Sequence, residues 1–147
     1  MGLFVIVRHT PLAPAEAWRL LTDWERHTGT VPLTRVGADT LPPTGVGTVV
    51  VARTGVGRAA FADPMRVAVW EPPGDGRPGR CRLEKLGRVV TGWAEIDVHP
   101  HGTGTAVRWR EEARVRGLPR TADAATAYVG RRVFGRVVDT LLAGGDR

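Results

Sequence analysis

Apolar residues fall into short runs and alternations along most of the chain, and take up a sustained helical period only near the C-terminus. Residues 3–9 (LFVIVRH) form an apolar run of strand length, which predicts a buried strand. Pro14 suits a first helical position, and residues 15–22 follow with Ala17, Trp18 and Leu21 on one face. Asp23 is placed to cap a second short helix that ends at Gly29. Strands are predicted at 33–38, 47–54, 58–70, 80–86, 89–98 and 105–115, separated by turns rich in Gly and Pro. Pro64 suggests a bulge or an edge position in the fourth of these seven strands.

Residues 121–143 carry the helical period, with Thr121 as a plausible cap and Gly144 as the stop. Thr126, Gly130, Val133, Phe134, Val137 and Leu141 fall in one stripe, while Arg131, Arg132 and Asp139 fall away from it. The stripe is graded from small to bulky. Laid across a concave sheet, such a helix leaves open volume near Thr126, Ala127 and Gly130; the alternative is that small residues permit close helix packing. Either way the order of elements predicts a sheet of seven strands curled around one long helix, with a pocket between them.

Register is read from the last hairpin. Thr105, Val107, Trp109 and Glu111 form the inward set of one strand, and Gly92, Ala94, Ile96 and Val98 that of its partner. Pairing Val98 with Thr105 sets Ile96 across from Val107 and Ala94 across from Trp109. It also places Glu95 opposite Arg108 and Trp93 opposite Arg110 on the outer face, where ion-pair and cation-π contacts are available. A one-residue slip, bringing Trp93 and Glu95 inside, stays open.

At 147 residues and 42% hydrophobic content the chain has the size of one domain, 1–147, with enough core to need no disulfide or metal. Cys81 has no partner cysteine, no signal-peptide pattern opens the chain, and no apolar stretch approaches the roughly 20 residues of a membrane span. A cytoplasmic location is expected. The net charge of +6 comes from 20 Arg and one Lys, Lys85, scattered over all segments. That distribution reads as the bias of a GC-rich genome, not as a nucleic-acid surface.

Ser, Asn and Gln are absent, which excludes serine nucleophiles and Cys-His-Asn arrangements. Four histidines and one cysteine do not make a closed zinc site, and no metal or cofactor is expected. Gly55, Gly57 and Ala60 match a GxGxxA pattern, but Pro64 and the following alternation make a hairpin turn the better reading. Glu111 and Asp63 share parity with apolar inward residues and are the carboxylate candidates for acid-base work or for orienting a ligand; a rim salt bridge to an arginine is the plain alternative. His27 is placed to reach a pocket mouth, or to be an ordinary surface histidine. Cys81 reads as a small core residue, and His99 and His101 as exposed turn residues.

The opening strand followed by APAEAWRLLTDWERH, the start GVGTVV, the segment DPMRVAVWEPP, the hairpin GWAEIDVHPHGTGTAVRWREE and the long closing helix together resemble the START-related polyketide cyclase/dehydrase and lipid-transport superfamily, the helix-grip fold also seen in pollen allergens. The resemblance covers nearly the whole chain. It implies an α+β helix-grip fold with a seven-stranded curved antiparallel sheet, two short helices after the first strand, a cavity roofed by the last helix, and apolar ligands such as lipids or polyketides. It carries no shared catalytic motif across. The leading expectation is binding or transport of a small apolar molecule by Trp18, Leu21, Phe61, Met65, Val67, Leu83, Ile96, Trp109, Glu111, Thr126, Gly130 and Phe134. The alternatives are a cyclase or dehydratase using Glu111, Asp63 or His27, and a pocket-independent stress or interaction protein that dimerises through the face around Trp93.

Overall fold

The computed structural model describes residues 2–31 and 33–144. β1 (Gly2–Thr10) leads into α1 (Pro14–Thr22) and a 3-10 turn (Trp24–His27). Six strands follow: β2 (Thr34–Ala38), β3 (Val49–Thr54), β4 (Phe61–Glu71), β5 (Gly79–Lys85), β6 (Val90–His101) and β7 (Gly104–Val115). α2 (Asp123–Ala143) closes the chain. The strands make one curved antiparallel sheet in the order β1-β7-β6-β5-β4-β3-β2, wrapped on α2 as a helix-grip α+β fold.

Alternation along β1 sends Phe4 and Ile6 inward under α2, and leaves Leu3, Val5 and Val7 about half exposed. The expected buried strand is thus buried on one face only, and at the edge of the sheet its other face stays about half exposed. On α1 the stripe Ala17, Trp18 and Leu21 is buried as the helical period requires. Thr121 falls in a 3-10 turn before α2, whose first turn has no side-chain cap.

The β6–β7 register differs from the expected one by two residues. Val98 pairs with Val107, Ile96 with Trp109 and Ala94 with Glu111, because both strands run on to a tight turn at residues 102–103 where Gly102 takes a positive φ of 58°. A shift of two keeps every side chain on its face, so the inward sets stand while the outward partners change. Glu95 lies opposite Arg110, and Trp93 lies opposite Glu112 with the Arg82 guanidinium 4.6 Å over its ring.

The convex face absorbs many arginines. Asp97, only 1% exposed, accepts from Arg80 at 2.8 Å and Arg108 at 3.4 Å, and Glu95 is held by Arg82 and Arg110. The irregularity in β4 lies between Val67 and Val69, not at Pro64, which sits just beyond the last β4–β5 pair, where its carbonyl accepts from Leu86 N–H at 2.8 Å and its missing N–H falls at the end of the ladder.

Candidate functional site

β4, β5 and β7 each turn one ionisable side chain toward α2. Strand parity sets this: Asp63 follows Met65 and Val67, Lys85 follows Cys81 and Leu83, and Glu111 follows Val107 and Trp109. β6 runs between β5 and β7, and its inward residue there is Ala94, small enough for Lys85 and Glu111 to approach across it. Lys85 Nζ donates to Asp63 Oδ2 at 2.8 Å and lies 3.8 Å from Glu111 Oε2. Trp109 Nε1 donates to Glu111 Oε1 at 3.3 Å. Asp63 Oδ1 is buried with no hydrogen-bond partner among the described residues.

Burial governs the electrostatics of this group. Loss of solvent pushes the Glu111 carboxyl above its ordinary range, against the Lys85 charge and the Trp109 N–H, and with help from Asp63. Desolvation also works against the Lys85 charge, but the two carboxylates outweigh it and hold the ammonium above its ordinary value. Both directions hold together because one ammonium serves two carboxylates. It meets Asp63 at contact distance and leaves Glu111 the weaker share.

His27 lies beside them. Its Nε2–H donates to the Leu21 carbonyl at 2.8 Å, so Nδ1 is the acceptor end of the neutral ring, and burial lowers its pKa. The ring packs 5.8 Å from Trp24 and 6.1 Å from Trp109.

These four ionisable groups line a cavity of about 90 Å³ together with Trp24, Val36, Val50, Met65, Leu83, Trp109, Phe134 and Val137. Of the sequence-predicted residues, the structure thus brings Asp63, His27, Met65, Leu83, Trp109, Glu111 and Phe134 together. The reading of His27 as a surface residue is overturned, since it is 8% exposed.

The others lie elsewhere. Leu21, Val67 and Ile96 are fully buried packing, and Trp18 packs on Trp70 at a ring distance of 5.0 Å. Phe61 is 41% exposed where β4 begins. Thr126 turns its hydroxyl back onto the Ala122 carbonyl. Gly130 faces the Phe4 ring, which fills the volume expected to be open there, so close packing is the correct reading of the small residues. The cavity lies farther along α2, under Phe134 and Val137.

Lys85 is the residue that sequence reasoning missed. Two signals marked it: its parity with Cys81 and Leu83, and its being the single lysine among 20 arginines. Cys81 is an inert core thiol, pushed up to about 12 by burial. Among the described residues no cluster of His, Cys, Asp or Glu is arranged to hold a metal ion.

No family model matches the sequence, and no curated protein matches it. Solved structures match it in shape. The KanY protein aligns over 100% of both chains with a TM-score of 0.71 at 15% identity. The Zhui aromatase/cyclase from Streptomyces sp. R1128 aligns over 99% of this chain and 93% of its own, with a TM-score of 0.67 at 14% identity. Ara h 8.0201 aligns over 96% and 97% respectively, with a TM-score of 0.63 at 11% identity. Similarity at this level speaks for architecture and not for chemistry. By its architecture the chain has the helix-grip fold of these structures.

Proposed function

We propose that the protein binds or transports a small, largely apolar molecule, lipid-like or polyketide-like, in the cavity between the sheet and α2. The observation that carries this reading is an apolar-walled cavity into which a few polar groups converge, the usual make-up of a small-molecule site. At about 90 Å³ it is smaller than the roughly 300 Å³ at which drug-sized pockets begin, so a large ligand requires Phe134 and Val137 to shift with α2. Native mass spectrometry of protein purified from its own host tests the reading. A small organic adduct, released on denaturation, is the expected result; no adduct, together with no change in tryptophan emission on titration with apolar probes, would sink it.

A polyketide cyclase or dehydratase is the second reading, favoured by one observation. His27 offers a neutral acceptor nitrogen in the same cavity as Glu111, whose burial favours the protonated acid, and these are a base and an acid set apart by environment. Glu111→Gln that spares binding but abolishes turnover would favour it. In either case residues 1–147 act as one cytoplasmic domain without a nucleic-acid partner. No described helix is long and apolar enough to cross a membrane. A homodimer through Trp93 has less support, because Arg82 covers that ring.

A further inference from the structure

Buried ionic groups are stable only when their donors and acceptors are all met, and a partly satisfied network is worse than an apolar wall. The cavity network is partly satisfied. Asp63 Oδ1 has no partner among the described residues, the Lys85–Glu111 separation of 3.8 Å is too long for a hydrogen bond, and beyond Asp63 the ammonium finds only Met65 Sδ at 3.7 Å. Donor capacity on Lys85 and acceptor capacity on Asp63 therefore stand unused, side by side, in the wall of a cavity.

We propose that the Asp63–Lys85–Glu111 triad is the recognition site for a hydroxyl group, and that the cavity takes a neutral, single-ring hydroxyl compound of the phenol class. The proposal rests on the binding role above. A hydroxyl is the smallest group that both accepts and donates, so its oxygen accepts a hydrogen bond from Lys85 and, after a small rotation of the carboxylate, its O–H donates one to Asp63. The same oxygen bridges the gap between Lys85 and Glu111.

Charge selects against ions. Asp63 and Lys85 form a buried ion pair whose charges cancel, so a charged ligand would bring a further charge into a desolvated wall. Shape selects a ring. Trp24, Trp109 and Phe134 present aromatic surface, and the Trp109 and Phe134 rings lie tilted against each other with centroids 5.6 Å apart. Size favours a single one: an engineered cavity of about 150 Å³ accommodates benzene, so at about 90 Å³ even one ring needs a small outward shift of Phe134, and fused rings or acyl chains need a larger movement of α2.

Four rings of similar size separate the possibilities by NMR titration: phenol, toluene, benzoate and benzylamine. For the wild type, phenol is expected to bind about tenfold more tightly than toluene, one net hydrogen bond to a charged group, with both ions weaker than phenol. Lys85→Met is expected to remove the preference for phenol while toluene still binds. Should that variant fail to fold, Asp63→Asn/Lys85→Met removes an opposite pair and gives the same readout. Phenol binding no tighter than toluene, an ion binding tightest, or a preference that survives in the variants would each overturn the proposal and leave the binding role standing. If none of the four rings binds, the proposal falls, and the binding role for a larger apolar ligand is decided by the native mass spectrometry above.

Discussion

Phe4 of β1 fills the space that Gly130 of α2 leaves open: a Cβ at position 130 would lie 2.5 Å from Phe4 Cε1. Phe4 is 4% exposed and stacked on Phe134 at 5.6 Å, so its ring has no free direction in which to yield. Gly130→Ala sets overpacking, at about 1–3 kcal/mol, against a helix-propensity gain of about 1 kcal/mol. A net loss of up to about 2 kcal/mol in urea unfolding is expected, and Phe4→Leu in the same chain should relieve it. A stabilised single variant would show that the contact is loose.

That contact marks the limit of what sequence conveys. Parity along the strands gives the inward sets of β6 and β7 correctly, because a slip of two residues leaves parity unchanged; for the same reason parity cannot fix which residues pair, and the turn at Gly102 decides it. The small-residue stripe of α2 is legible as a pattern, but whether its hollow is filled depends on Phe4, 126 residues earlier. Glu111 and Asp63 are legible as inward carboxylates. Their cation was passed over because a charged residue near a strand end reads as solvated, and only the packing of β5 beside β4 brings Lys85 onto Asp63.

Trp109 and Trp93 lie on opposite faces of adjacent strands and should respond differently to truncation. Trp109 is 4% exposed and donates to Glu111, so Trp109→Ala opens a void and leaves a buried carboxyl unpartnered, at a cost of about 3–5 kcal/mol. Trp93 contributes an outer-face contact with Arg82, and Trp93→Ala should cost less than about 1.5 kcal/mol. Equal, large losses in denaturant unfolding would contradict this placement.

Glu111 should make the protein less stable as pH rises. Its folded pKa is raised by burial, so between the unfolded value, about 4.3, and the folded one the native state holds the extra proton and stability falls with increasing pH. The groups facing it are Lys85 and Asp63, with neutral His27 in the same cavity. Glu111→Gln cannot ionise, so its stability relative to wild type should grow over that window and level off above it. Unfolding free energies measured from pH 4 upward, with the carboxyl midpoint followed by NMR, check the sign. A midpoint at or below the model-peptide value would mean that Lys85 dominates over burial.

Lys85→Met should be as damaging as Trp109→Ala, although methionine matches the stem in length and apolarity. Removing the ammonium leaves Asp63 and Glu111 facing each other without their shared cation, and breaking a buried pair in this way costs about 3–5 kcal/mol. Asp63→Asn/Lys85→Met removes one charge of each sign and should recover a large part of that loss, because the pair's attraction had mainly offset its own desolvation. The alkaline limb supplies a second readout. Lys85 is held above its ordinary value, so its contribution is complete below about pH 10.4 and is lost as pH climbs through the folded pKa; this extra loss should be missing from both variants. A double variant no more stable than Lys85→Met alone would mean that Asp63 is not the partner Lys85 compensates, and that the ammonium is held by Glu111 instead.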